Sequence, residues 1–323
     1  YYGGIKKYQW VALPLAMHGV IVRIDGSVLN VSIGENEDDP VFCISDLLPH
    51  LADEQLKKNG ETLIEGEALN LIIGGYPLPD TEKEPVKASI LKLLKEKYGV
   101  EEEDFLSAEL ELVPAGKSRD MGLDGSMILG YGHDDRVCAY PSARAILDYT
   151  GTPERTLCAV LTDKEEIGSV GATGMRSHYF ENIVSELYHC VGEYSEFGVK
   201  QALANSRMLS SDVSAAFDPN FASAFEKKNA AYLGCGVCFN KYTGGSGKHG
   251  SSDANAEFIG ALRGIMQAND VTYQFSELGK VDLGGGGTIA YMCAKYCMNV
   301  IDCGVPVLSM HAPWEVISKV DLY

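Results

Sequence analysis

The chain has 323 residues, 46% hydrophobic and 22% charged, a composition typical of a soluble globular protein with room for two domains. Its net charge of −18 argues against nucleic acid, whose binding rests on basic contacts to phosphate, and against anionic membrane surfaces. Nine cysteines, an odd number set mostly in apolar contexts such as those of Cys43, Cys158 and Cys303, suit a reducing cytoplasm. No apolar stretch approaches a membrane span and the start shows no signal-peptide pattern, although the sequence opens on Tyr1 rather than Met.

Tyr1–Pro14 reads as a glycine-containing turn leading into a strand. Gly19–Ile24 and Val28–Ile33 alternate on either side of Asp25–Gly26, the pattern of a β-hairpin. Past the acidic loop Glu35–Asp39 come Val41–Ile44, a short helix near Leu47–Leu51, and a strand over Gly66–Ile73. Pro85 opens a helix running to about Tyr98, with Gly99 just past its end, and Ser107–Val113 alternates again. This block holds no cluster of His, Asp and Glu. Residues 17–116 therefore read as an inserted β-rich domain, and 1–16 with 117–323 as the domain that carries chemistry.

In that second part the pattern becomes strand, loop, helix. Ser126–Leu129 is a short strand followed by His133, Asp134, Asp135 and Arg136, and Ala139–Leu147 is helical with Pro141 early enough to be tolerated. Leu157–Leu161 reads as a buried parallel strand ending at Thr162–Asp163. Adjacent acids follow, Glu165 and Glu166, then Gly168, Gly171 and Gly174. Phe180 to Val191 shows helical spacing, and Arg207–Ser214 sets Asp212 at the end of an extended run. Ser252 or Asp253 would cap a helix whose apolar face is Phe258, Ile259, Leu262, Ile265 and Met266. Gly284–Gly287 opens a helix over Thr288–Met298, and Val300–Ile301 and Val305–Leu308 lead to Ser309, Met310 and His311. The CxxC pair Cys235 and Cys238, and Cys293 with Cys297, lack a second pair at zinc spacing and read as core residues.

In open α/β sheets, ligands bind beyond the carboxyl ends of strands. Two neighbouring acids there repel each other, so one can hold a metal while the other acts as a base on water. A bare Glu–Glu pair is more often a solvated turn. Here, however, four strand ends supply Asp134, Glu165 with Glu166, Asp212 and His311. These oxygen and nitrogen donors, without thiolates, suit zinc, cobalt or manganese in a hydrolytic site. A pair of metals needs one shared ligand, and a bidentate aspartate is the usual bridge.

Six pieces carry a resemblance: Tyr2–Gly4 (YGG), Asp134–Arg136 (DDR), Asp163–Gly168 (DKEEIG), Ser211–Asn220 (SDVSAAFDPN), the Gly284–Thr288 turn and Ser309–Ser318 (SMHAPWEVIS). Together they run from one end of the sequence to the other, and the chain closely resembles the aspartyl aminopeptidase and aminopeptidase I family of co-catalytic zinc metallopeptidases. The resemblance implies an α/β fold, a zinc-peptidase-like mixed sheet flanked by helices, with an inserted β-rich domain used in assembly. It implies two divalent ions, zinc first, a peptide substrate, and a cytoplasmic homo-oligomer built from dimers, up to a dodecamer. By position, Asp134 would bridge the metals, Glu166 and His311 would complete one of them, and Asp212 would bind the other. Glu165 would be the general base, and Asp135, Gly285 and Thr288 would stand around the ligands and the substrate.

Two departures follow from the same comparison. The family's remaining ligand is a histidine in a His-x-Asp-Ser-Pro-like segment before the YGG motif; this sequence begins at that motif and reads as a segment cut at both ends. None of His18, His50, His133, His178, His189 or His249 sits in such a context. Many relatives also carry histidines three and six residues after the metal-binding Asp, where this chain has Ala215 and Asp218. The rival functions are another amide hydrolase on the same core, such as a deacylase, and a non-catalytic assembly protein, which would have no need of Glu165.

Overall fold

The computed structural model describes residues 1–245, 248–252 and 254–322. Contacts divide the chain into two compact units, one of Tyr1 with Ile5–Ser118, the other of Tyr2–Gly4 with the chain from Arg119 onward. The first of these therefore begins earlier than residue 17 and runs on to Ser118.

In the first unit β1 (Leu15–Val22) pairs antiparallel with β2 (Val28–Ile33) and, on its other side, with β5 (Ala108–Pro114). The hairpin closes through Asp25, whose carboxylate accepts the Ser27 N–H at 2.9 Å. A two-stranded ribbon joins β3 (Cys43–Ile44) to β4 (Leu71–Ile72). Between them lies the single-turn α1 (Asp53–Leu56), preceded by a tight turn over Pro49–Leu51. The longer strand expected over Gly66–Ile73 is reduced to β4. Local bonds from Ala68 N–H to Glu65 and from Leu69 N–H to Gly66 coil Gly66–Ala68 and consume donors that a ladder would need. Helix α2 (Pro85–Tyr98) starts on proline and stops at Gly99, which sits in the left-handed region at φ +64 and returns its N–H to Lys95 at 3.0 Å.

The second unit begins with β6 (Arg119–Met121), β7 (Met127–Gly130), α3 (His133–Leu147), α4 (Tyr179–Cys190), α5 (Glu196–Ala204) and β8 (Arg207–Ser211). Next come β9 (Ser214–Ala215), β10 (Val237–Asn240), α6 (Ala256–Ala268), β11 (Tyr273–Ser276) and α7 (Ala290–Ala294). It ends with β12 (Asn299–Gly304), β13 (Pro306–Leu308), β14 (Glu315–Ser318) and α8 (Lys319–Leu322). The strands form two mixed sheets in the orders β11-β10-β12-β8 and β6-β7-β14-β13-β9. Two chain segments run through both, β8 into β9 by way of Asp212 and β12 into β13 by way of Gly304. At that double crossing the backbones nearly touch. A Cβ on Gly304 would lie 1.6 Å from the Asp212 carbonyl oxygen, so glycine is required there.

Helices cover the sheets as an α/β fold demands. Val199 and Leu203 of α5 and Ala290, Met292 and Cys293 of α7 are buried with Val300 of β12. Phe258 and Leu262 of α6 pack with Phe239 and Ile301, and Val137 and Cys138 of α3 with Val305, Val307 and Ile317. Each large apolar side chain so buried contributes roughly 1.5–3 kcal/mol. No helix among the described residues is long and apolar enough to cross a membrane.

Several sequence expectations are overturned. Leu157–Leu161 belongs to no strand and is exposed, Leu157 by 43% and Leu161 by 63%. The run borders an open cavity of about 1240 Å³, which separates it from residues such as Met208 and Cys293, so its apolar character finds no ladder to join. The helix expected over Thr288–Met298 is only α7, and its continuation is broken at Cys297, which adopts φ +64. The cap of α6 is Asn255, whose side chain accepts the Phe258 N–H at 2.8 Å; Ser252 instead donates to Asp302, and Asp253 lies outside the described residues. All nine cysteines are free thiols, and of the four read as core Cys238 and Cys293 are buried while Cys235 and Cys297 are exposed.

Candidate active site

Each acidic candidate sits where a strand or turn hands over to another element. After β7 the chain turns through Gly132, and Asp134 and Asp135 keep non-helical backbone angles before α3 settles into its helix. Glu165 and Glu166 open a tight turn over Glu165–Ile167, entered from Lys164 in the left-handed region. Asp212 occupies the break between β8 and β9. His311 follows β13 with φ +65, a conformation that a non-glycine residue holds only against some strain.

The fold brings these residues together. His311 Nε2 lies 3.0 Å from Asp134 Oδ2 and 3.0 Å from Glu166 Oε1. Its other ring nitrogen, Nδ1, faces the carbonyl of Gly4 at 3.3 Å. A carbonyl can only accept, so that nitrogen carries the proton and Nε2 is left as the ligating atom. Two groups of donors have all their ligand atoms within 4.8 Å of one another, Asp134 with Glu166 and His311, and Asp134 with Asp135 and Asp212. Asp134 is common to both, as a bridging ligand would be. Glu165 belongs to neither.

The electrostatics fit a cation. Burial, and then the neighbouring Asp135 and Asp134, drives the Asp212 carboxyl well above its ordinary range. Burial likewise lifts Asp135 to about 7, and its Oδ1 is buried without a hydrogen-bond partner. Glu165 is also raised to about 7, by burial first and then by Glu166 and Asp134. Glu166 moves the other way, held down by its hydrogen bond with His311. His311 is pushed up to about 11 by its hydrogen bonds to Asp134 and Glu166. Clustered, partly buried acids with an unpaired oxygen form a donor set that a divalent cation satisfies.

A cleft of about 480 Å³ opens beside these groups, lined on its far side by Gly285–Thr288. Gly285 lies along that wall. The Thr288 hydroxyl, however, donates to the buried carboxylate of Asp302 and accepts the Ala290 N–H at 3.1 Å, so it braces the glycine turn instead of offering itself to a ligand. Asp302 also receives Thr243 at 2.9 Å and Ser252 at 3.3 Å. Neither Asp302 nor the buried Glu315 stood out in the sequence, since an isolated acid in an apolar run signals only that something must satisfy it. His133 does not join the acids; its Nε2 is buried without a partner.

The family model described as Aminopeptidase I zinc metalloprotease (M18) matches residues 1–323. A Clostridium acetobutylicum protein called a probable M18 family aminopeptidase 1 is 59% identical over all of this chain and 70% of its own length. The crystal structure of aminopeptidase I from Clostridium acetobutylicum superposes with a TM-score of 0.93 at 58% identity, over 100% of this chain and 70% of that one. The M18 aminopeptidase structure from Thermotoga maritima gives 0.96 at 44% identity, over 100% and 71%.

A proton on His311 and a divalent cation compete for the same two carboxylates. The raised imidazole pKa stabilises the fold fully below the ordinary value of 6.5, and that contribution is lost as pH rises through about 11. At pH 8 cation binding must therefore expel the proton. Zinc titrations by calorimetry in buffers of differing ionisation enthalpy should show at least one proton released per ion, with affinity rising from pH 6 to 8. Binding without proton release would contradict this arrangement.

Proposed function

The chain belongs to the M18 aminopeptidase I family of zinc metalloproteases, and from its own residues we propose a two-cation aminopeptidase that removes N-terminal residues from peptides with Glu165 as general base. The observation that carries this reading is the His311 imidazole set 3.0 Å from a carboxylate on either side, with Glu165 next in sequence to one of them yet outside both donor groups. In this reading Asp134 is shared by the two ions, Glu166 and His311 complete one, and Asp212 holds the other with Asp135 beside it. Zinc bound among these donors would supply the Lewis acidity that polarises a scissile carbonyl and acidifies water.

The remaining work falls to the protein. Glu165 takes a proton from the attacking water as the oxygen–carbon bond forms, then returns it to the departing amine as the carbon–nitrogen bond breaks. Its carboxyl, lifted to about 7, is poised near the pH at which both transfers are easy. Glycines at the far wall of the cleft let a peptide backbone come close. Nine free thiols support placement in a reducing compartment such as the cytoplasm.

We assign the β-rich unit a role in assembling copies of the chain. Among the described residues β2 pairs on one side only, and Leu47, Leu48, Leu51 and Leu56 are exposed in the same unit. An unpaired edge and exposed apolar surface each call for a cover, and another copy provides one. Light scattering on the intact protein should report an oligomer; a stable monomer would rule out this assignment.

Glu165→Gln should cut kcat by about 10²–10⁴-fold while zinc content stays near that of the wild type, because an amide cannot accept the proton. Glu166→Gln should instead lose zinc. Metal analysis of the two variants showing the opposite pattern would reverse the two roles.

The cleft points to its substrates. Leu278, Tyr291, Met292 and Met310 line it, and no lysine or arginine does so among the described residues. Ala215 and Asp218 occupy the positions where relatives carry histidines, and Lys248 is already paired with Glu277. Leucyl and methionyl substrates should be cleaved faster than aspartyl ones, at least tenfold in kcat/KM. A preference for aspartyl substrates in a panel of aminoacyl derivatives would refute this.

A further inference from the structure

We infer that Glu315 is a positioning residue that fixes the proposed ligands Asp134 and His311 relative to each other. The inference rests on the site proposed above but concerns a residue outside it. Glu315 is the first residue of β14, opposite Gly130 at the end of β7, and only 2% exposed. Its Oε2 accepts the backbone N–H of Asp134 at 2.9 Å, and its Oε1 accepts the backbone N–H of His311 at 2.8 Å. The side chains of those same two residues meet at 3.0 Å through Oδ2 and Nε2.

The result is a closed ring. One carboxylate ties the two backbones together, and the facing side chains close the ring at the cation end. Both oxygens of Glu315 are spent on N–H groups, so it is not itself a ligand. Without it, the turn after β7 and the turn after β13 would be tied to each other only through their own strands and the facing side chains of Asp134 and His311. His311 would also lose a bond that helps hold it at φ +65. Partners standing behind metal ligands typically matter by 10–100-fold in affinity.

A built-in control exists. Asp321, also buried, accepts two backbone N–H groups, from Gly234 at 2.8 Å and Gly236 at 2.7 Å, with none of the proposed ligands in its ring. It reproduces the chemistry of Glu315 without the positioning.

The test compares Glu315→Gln with Asp321→Asn in the intact protein, using cobalt(II) as probe, with affinity from equilibrium dialysis and ligand geometry from the visible absorption band. In Glu315→Gln one acceptor oxygen becomes an NH₂ that faces an N–H. Cobalt should bind 10–100-fold more weakly with a shifted band, while Asp321→Asn should leave both unchanged even where it lowers Tm. Equal losses in the two variants, or an unchanged affinity and band in Glu315→Gln, would overturn the inference. Wild-type protein that binds no cobalt would remove the metal site itself and the inference with it. Should Glu315→Gln fail to fold, amide exchange in the metal-free wild type decides. The N–H groups of Asp134 and His311 should be strongly protected despite lying in turns, and rapid exchange at either would overturn the inference.

Discussion

Five carboxylates, those of Asp134, Asp135, Glu165, Glu166 and Asp212, share one small region with a single imidazole, and like charges this close cannot all remain ionised unaided. Asp135, Glu165 and Asp212 respond by holding protons more tightly, whereas Glu166, with His311 against it, is held the other way. The same repulsion separates two neighbouring glutamates into different chemical roles. Glu166 faces the imidazole and stays a ready anion. Glu165 faces other acids from a less exposed position, which raises its affinity for protons. A shift of one residue exchanges their surroundings, so the backbone conformation of this turn matters as much as its composition.

Holding mutually repelling groups together falls mainly to the main chain. The β8–β9 and β12–β13 segments cross so tightly at Asp212 and Gly304 that the carboxylate cannot retreat without disturbing two sheets. The glycine turn opposite is braced by Asp302 through the Thr288 hydroxyl, while Thr243 and Ser252 hold Asp302 in place. The strands that carry the crossing are buried around Ile301, Val307 and Ile317.

Much of this was legible in the sequence because local rules coincided with the tertiary result. Alternation around Asp25–Gly26 and the Pro85 and Gly99 signals describe elements that need few distant partners. The acids were visible because each stands where an apolar run stops. What failed depended on partners that local pattern does not encode. Leu157–Leu161 has a strand's composition, but a strand exists only when a neighbour supplies its ladder. Cys297 fell on a helical period, yet its left-handed conformation ends the helix. Glu315 was hidden for a further reason: its partners are backbone N–H groups, which every residue but proline possesses and which leave no mark in a sequence.

The contact between Gly4 and His311 spans 307 positions of the chain. Gly3, beside it, lies so close to Glu166 that a side chain there would press on it at 3.1 Å. Two of the three groups that would grip one ion are thus in touch with a short tripeptide that contributes almost nothing to any apolar core. Displacing Gly4 would spare Asp134, Glu166 and His311 and nearly all the packing, yet it would free the imidazole to turn and exchange its tautomer. Damage of that kind would show as leakage of metal from a protein that still melts normally. A peptidase built this way keeps, in its own YGG segment, a contact whose loss would disarm it without unfolding it.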